Sequence, residues 1–357
     1  MHQELSAFAA RLRSSISSGF QNENFELLAV ELFALQFKHN PAYRRICEER
    51  RAGPGIIRHW TQVPFVPAGA FKELEMSGIP APGRTTVFHS SGTTGQTPSR
   101  HFHSDESLAV YEESLWRWFE RNVMPDCALV ILTPPASLVP RSSLAYMFEI
   151  IRLKIDGVTI PTSRNVFFGK VADDGAWVLD FDALLRILSP RPHRSSRPTL
   201  MLGTAFSFVH LVDFLTEKDL RMKLPAGSWI METGGYKNHS RSMPKAELHA
   251  LITERLGVPR GNIICEYGMS ELSSQAYQVQ GSPFRFPPWV RVQLVSPETG
   301  REVADGETGL VRVLDLANVF SVAAVQTEDL AVRHGDGFEL IGRAAQAEPR
   351  GCSLTSA

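Results

Sequence analysis

Short apolar runs alternate with stretches of helical spacing through the middle of this chain, and that alternation restricts the fold more than any other feature. Ala128–Leu132 is followed by a helical stretch at 142–153, then Val158–Ile160, then a second helical stretch at 180–188. Leu200–Thr204, Trp229–Thr233 and Asn262–Glu266 read as further strands, and Gly203-Thr204 and Thr233-Gly234 close two of them. Strands separated by helices pair in parallel, so the chain is expected to be α/β with mainly parallel strands flanked by helices. Ligands of such sheets collect at the carboxyl ends of the strands. With 357 residues, 43% of them hydrophobic, the chain can bury a large core as one domain or two subdomains.

Residues 3–17 and 23–38 read as amphipathic helices, the second with Phe25, Leu28, Leu32 and Phe33 on a broad apolar face. Residues 53–83, rich in proline and glycine, read as an extended connector. Residues 242–256 form a helix starting near Ser242 and Pro244 and ending at Gly257. From Trp289 to Leu340 short β-prone segments such as 290–295 and 309–313 predict a small antiparallel or barrel-like unit. The expected division is helices and connector over 1–84, an α/β core over 85–288, a β-rich subdomain over 289–343 and a tail over 344–357.

Ser90-Ser91-Gly92-Thr93-Thr94-Gly95 follows the extended stretch Thr85–His89. Glycine lets backbone approach a ligand closely, and the hydroxyls and N–H groups offer donors to anionic oxygens. Ser104 is suited to cap a helix carrying Leu108, Tyr111, Leu115 and Trp118, with Asp105 and Glu106 at its positive end. The expected arrangement is strand, phosphate-holding turn, helix. Gly95-Gln96-Thr97 departs from a Walker loop, and a flexible linker is the alternative.

A second group of polar residues follows Cys265. In Glu266-Tyr267-Gly268-Met269-Ser270-Glu271, Tyr267 is able to stack on a base, Ser270 to donate to a phosphate oxygen and Glu271 to hold magnesium. The alternative is a loop in which Tyr267 fills the core and Glu271 is solvated. Further on, Asp329 suits vicinal ribose hydroxyls and Arg343 suits ribose or phosphate oxygens, while Asp336-Gly337 reads as a hairpin turn.

Taken in order, these motifs resemble the acyl-adenylate-forming superfamily over roughly residues 85–343. The resemblance implies ATP and magnesium as cofactors and a carboxylic acid as substrate. It implies that Ser90, Ser91, Gly92, Thr93, Thr94 and Gly95 hold the leaving phosphates and that Tyr267, Gly268, Ser270 and Glu271 serve the base, the α-phosphate and the metal. It also implies ribose contacts from Asp329 and Arg343, and Gly234-Gly235 lining the adenine and acyl sites. Phe206 and Phe208 stand where related enzymes line the acyl pocket, and both fit a core equally well. The family's Pro-Lys is replaced by Pro98-Ser99-Arg100, which moves the positive charge to Arg100. The family's mobile C-terminal domain, with its catalytic lysine, is expected to be absent.

The tail, Glu348 to Leu354, resembles the end of the acyl-protein synthetases of bacterial bioluminescence, more distantly related to phenylacetate-CoA ligases. In that family the acyl group moves from acyl-AMP to a cysteine, here Cys352, and on to a reductase. Nine residues separate Arg343 from Cys352, a reach of at most about 30 Å. Arg350 favours the nucleophilic thiolate, and the alternative is an incidental cysteine on a frayed tail. Cys47, Cys127 and Cys265 read as packing residues. Two other functions stay open: an ATP-independent acyltransferase between coenzyme A and a carrier protein, and a non-catalytic nucleotide-binding partner.

Composition sets the remaining bounds. A formal net charge of −1 and the lack of a long basic block give no reason to expect nucleic acid. The four cysteines are widely spaced and the eleven histidines show no HExxH pattern, so no motif points to zinc or a redox pair. The acidic N-terminus and the lack of an apolar run of about 20 residues make a cytoplasmic protein without a membrane span the expectation.

Overall fold

The computed structural model describes residues 2–90, 97–123, 126–158, 166–189, 197–234, 243–279 and 281–344. Helices α1 (Gln3–Ser17), α2 (Phe25–His39) and α3 (Pro41–Glu49) come first. On α1, Leu5, Phe8, Leu12 and Ile16 recur at helical spacing and all are buried. At roughly 1.5–3 kcal/mol for each large apolar side chain, this stripe is what attaches the helix. Asn24 caps α2 by accepting from the Leu27 amide, and Asn40 caps α3 by accepting from Tyr43, with Pro41 in the first turn.

The connector holds more structure than its composition suggests. It contains β1 (Val66–Pro67) and the short helix α4 (Ala70–Glu73). Val66 and Pro67 pair in parallel with Val325 and Gln326. A two-residue strand ending in proline carries no alternation to read, and only its distant partner defines it.

Strands β2 (Thr86–His89) and β3 (Arg100–His103) follow. They pair antiparallel, Thr86 opposite His103 and His89 opposite Arg100, which corrects the strand–turn–helix expectation. The serine- and glycine-rich run therefore joins two strands, and the helix comes only after the second. Along β3 burial alternates, with His101 and His103 inside, a period-two pattern hidden by its polar residues. Helix α5 (Asp105–Asn122) starts as expected, Ser104 and Ser107 capping each other's amides.

Next come β4 (Ala128–Ile131), α6 (Ser143–Val158), the hairpin β5 (Gly169–Val171) and β6 (Trp177–Leu179), α7 (Phe181–Leu188), β7 (Thr199–Thr204) and α8 (Ala205–Glu217). They are followed by β8 (Trp229–Thr233), α9 (Lys245–Leu256), β9 (Ile263–Tyr267) and β10 (Ala276–Gln278). Val158, expected to open a strand, is the last residue of α6. Helix α9 starts three residues later than Ser242, after Pro244, and ends at Gly257 with φ +71°. A side chain is strained in that left-handed conformation, which is why glycine closes the helix.

One sheet has the order β10-β9-β8-β7-β4, parallel from β4 to β9 with β10 antiparallel at its edge. Alternate strand residues face opposite layers. Val130, Met201, Ile230 and Ile263 pack with α7, α8 and α9. Ile131, Leu200, Leu202, Met231 and Ile264 pack with α5 and α6. The result is helix, sheet, helix, the arrangement that a fully buried parallel sheet requires.

The β-rich unit comprises β11 (Val290–Val295), β12 (Thr308–Asp315), β13 (Ala324–His334) and β14 (Gly337–Arg343). These strands are antiparallel to one another, with β1 parallel to β13 at the edge. Their apolar face shares a core with α1, α2 and α3, centred on Trp289, Val311, Val313 and Val325. Among the described residues no helix is long and apolar enough to cross a membrane.

Candidate active site

The β2–β3 hairpin presents the first group of residues. The Ser90 amide donates to the Ser99 carbonyl at 3.2 Å, and the Ser99 amide donates to Ser90 Oγ at 2.9 Å. These bonds pin the two ends of the loop together. Ser91, Gly92, Thr93, Thr94 and Gly95 lie outside the described residues. At the loop's base Ser99 Oγ and Arg100 Nε are buried and have no hydrogen-bond partner among the described residues. Both atoms border residues 91–96, which lie outside the described residues, and similar unpaired atoms occur elsewhere in the fold, at Trp118 and Thr253 for instance.

The turn after β9 reaches this hairpin. Ser270 Oγ donates to the His89 carbonyl at 3.1 Å and lies 3.3 Å from Ser143 Oγ at the start of α6. His101 Nδ1 lies 2.7 Å from the Ser270 carbonyl. Burial lowers the His101 pKa to about 4, so the neutral ring carries its proton on Nδ1 and donates it. At Gly268 the backbone approaches a buried side chain closely: a Cβ there would lie 2.5 Å from Glu266 Oε1, which would have to shift.

Glu271 is 4% exposed, which excludes the solvated alternative. Burial raises its pKa, while Ser99, Lys72 and Arg343 act to lower it. The Ser99 hydroxyl is near enough to influence the carboxyl without meeting hydrogen-bond geometry. Beneath the turn, Asn318 Nδ2 donates to the Glu271 carbonyl at 2.8 Å. Asp315 accepts from the Ser273 and Ala317 amides and from Ser274 Oγ, at 2.9, 2.9 and 2.8 Å.

Tyr267 and Asp329 meet across the two sheets, the phenol donating to Asp329 Oδ2 at 2.8 Å. The Tyr267 ring is 8% exposed and packs edge-on against Phe284, Phe286 and Phe338, so most of it serves the core. Burial raises the Asp329 pKa, opposed by the Tyr267 hydrogen bond and the Arg343 charge. Arg343 Nε lies 3.7 Å from Asp329 Oδ1 with its side chain 80% exposed, leaving the guanidinium open to a ligand.

Hairpin, turn and the Asp329–Arg343 pair thus bring Ser90, Arg100, Tyr267, Gly268, Ser270, Glu271, Asp329 and Arg343 into one neighbourhood, a candidate site. Gly234 follows β8 with φ +74°, and no atom of the described residues lies within 4 Å of a Cβ placed there. Gly235 and Cys352 lie outside the described residues. Phe208 is fully buried in the core beside β7, and Phe206 is half-buried against His210. For Phe208 the structure therefore selects the core alternative. Sequence reasoning missed Lys72 and Arg141. Lys72 bears on Glu271, and exposed Arg141 accepts the His89 amide on its carbonyl while its charge lowers the His89 pKa behind the larger effect of burial. Neither lies in a recognisable motif, and only the chain's return to the hairpin reveals them.

The family model described as "Acyl-protein synthetase, LuxE" matches residues 149–357. The chain belongs to this family. As an acyl-protein synthetase it is an enzyme that activates an acid as acyl-AMP and transfers the acyl group, a conclusion that disfavours both the coenzyme A acyltransferase and the non-catalytic readings. The synthetase is similar to a "Long-chain-fatty-acid--luciferin-component ligase" of Aliivibrio fischeri, 23% identical over 356 residues, covering 94% of this chain and 89% of the relative. The Vibrio harveyi ligase of the same name is 22% identical over 338 residues, covering 90% and 84%. Among solved structures, an open conformation of 2-hydroxyisobutyryl-CoA ligase in complex with 2-HIB-AMP and CoA superposes with TM-score 0.63 at 15% identity, covering 87% of this chain and 74% of that one. An ATP-bound RpMatB-BxBclM chimera gives TM-score 0.51 at 15% identity, covering 95% and 72%. These likenesses establish the fold of adenylate-forming ligases for this synthetase.

Proposed function

We propose that this acyl-protein synthetase uses ATP to activate a long-chain fatty acid and passes the acyl group to the thiol of Cys352, from which a partner protein receives it. The observation that supports the site assignment is that the Ser99 hydroxyl and the exposed Arg343 both act on the buried Glu271 carboxyl, in the turn that Ser270 ties to the hairpin. The fatty-acid class rests on the Aliivibrio fischeri and Vibrio harveyi relatives, both long-chain-fatty-acid ligases.

In this reading the acid's carboxylate oxygen attacks the α-phosphorus and the bond to pyrophosphate breaks, giving acyl-AMP. Arg100 and the loop it borders stabilise charge on the departing pyrophosphate. Ser270, by turning its hydroxyl proton from the His89 carbonyl, would donate to the α-phosphate, and Asp329 with Arg343 orients the ribose. The Cys352 thiolate then attacks the acyl carbonyl, a thioester forms and AMP leaves. Glu271 fits a magnesium site, being a buried carboxylate without a close ion pair among the described residues. When bound there, magnesium would neutralise phosphate charge.

Intact-mass analysis after incubation with ATP, magnesium and mixed carboxylic acids tests the proposal. An acyl mass increment is expected, favouring long-chain acids, and it is expected to vanish in Cys352→Ala. Carboxylate-stimulated ATP–pyrophosphate exchange is expected to survive that substitution. No exchange across a broad acid panel would overturn the assigned activity.

A further inference from the structure

Next to this site, where β8 and β9 pair, three side chains of different chemistry converge. Glu232 on β8 and Cys265 on β9 are register partners, so both project to the same face of the sheet. There they meet His249 from α9. One ligating atom from each residue lies within 4.8 Å of the other two. Glu232 and Cys265 are 6% and 4% exposed, while the His249 side chain retains 16% exposure and offers a path from solvent.

The distances distinguish between two chemistries. His249 Nε2 is 3.4 Å from Glu232 Oε1 and 3.9 Å from Cys265 Sγ. A catalytic triad would use the two ring nitrogens for different partners, one for the nucleophile and one for the carboxylate. Here the same nitrogen faces both, so a single proton on it cannot satisfy both partners. Zinc-to-ligand bonds of about 2.0–2.3 Å in tetrahedral geometry place neighbouring donor atoms roughly 3.3–3.7 Å apart. Two of the three separations, 3.4 and 3.9 Å, approach that range, and the third lies within 4.8 Å.

We propose that Glu232, His249 and Cys265 form a binding site for a divalent transition-metal ion of the zinc class, with a fourth position open to water. Imidazole, thiolate and carboxylate together suit such an ion better than magnesium or calcium, which prefer oxygen ligands throughout. Its role is structural. It ties α9 to β8 and β9 two residues before Gly234 and Tyr267, holding the strand ends on which the nucleotide site is built. Lys245, one turn earlier on α9, directs its ammonium to Gln278 Oε1 at 2.6 Å and also acts on the Cys265 thiol, a positive charge that a bound cation would have to displace. The inference is independent of the acyl chemistry proposed above.

Cobalt(II) titration of the full chain, with any purification tag removed, provides the test, followed by zinc competition and metal analysis. One ion per chain and a thiolate-to-cobalt charge-transfer absorption are expected. The band should persist in Cys127→Ala and Cys352→Ala and disappear in Cys265→Ala. His249→Gln and Glu232→Gln should each weaken binding at least about tenfold, which keeps the test usable if Cys265→Ala does not fold. Lack of the band in the natural chain, its survival in Cys265→Ala, or its loss in Cys352→Ala would overturn the assignment.

Discussion

Glu266 is a buried acid whose removal should make the protein more stable, but only above a definable pH. It lies on β9, is 7% exposed, accepts a hydrogen bond from Thr233 Oγ1 and sits beside Glu232. Burial, reinforced by the Glu232 charge and opposed by Thr233, moves its pKa from 4.5 to about 7. Below 4.5 both the folded and the unfolded chain are protonated and the group is neutral to stability. Between 4.5 and about 7 the unfolded chain releases its proton while the folded chain keeps it, so stability falls as pH rises. Above that window the loss is constant. At about 1.4 kcal/mol for each tenfold difference in proton affinity, the full effect is about 3 kcal/mol.

Glu266→Gln preserves the acceptor for Thr233 and cannot ionise. Urea unfolding of the natural chain and the variant should give nearly equal free energies at pH of about 4.5, with the variant more stable by about 3 kcal/mol at pH of about 8. Asp315, whose burial raises its pKa to about 6, contributes equally to both chains and cancels in the difference. A chelator is included, because a cation at Glu232 would remove that repulsion. A difference that does not vary with pH, or a variant that is less stable at pH of about 8, would refute the argument.

Other perturbations address the neighbouring turn. Gly268→Ala forces a methyl group to within 2.5 Å of Glu266 Oε1 and should cost about 1–3 kcal/mol in urea unfolding, with part of the loss recovered in a Glu266→Ala background. Tyr267→Phe keeps the ring packing but removes the 2.8 Å hydrogen bond to Asp329; a loss of about 1–3 kcal/mol and weaker ATP binding by calorimetry are expected. Asp315→Ala leaves the Ser273 and Ala317 amides and the Ser274 hydroxyl without their acceptor, and a loss of about 3 kcal/mol or more is expected in thermal or urea unfolding.

The elements most legible in the sequence carry their own signals. Ser104 marks the start of α5, Gly257 marks the end of α9, and the apolar runs at β4, β7, β8 and β9 announce the parallel sheet. Others depend on partners remote in the chain. β1 exists because Val66 and Pro67 meet β13, and β3 because Arg100–His103 folds back on Thr86–His89. The same division holds at the site. Tyr267, Ser270, Glu271, Asp329 and Arg343 are candidates from residue type and order, whereas Lys72 and Arg141 enter only through the structure, because their neighbours are set by chain crossings rather than by spacing.

The sequence by itself therefore determined the α/β class, the chemical groups available to an acyl-adenylating site and their order along the chain, because propensity, capping and donor chemistry are local properties. Only the tertiary structure decided that Tyr267 spends most of its ring on packing, that Glu271 is buried rather than solvated and that Phe208 belongs to the core. It alone brought Glu232, His249 and Cys265 together. Burial and the meeting of side chains across strands and helices are set by strand register and layer packing, which no single stretch of chain encodes.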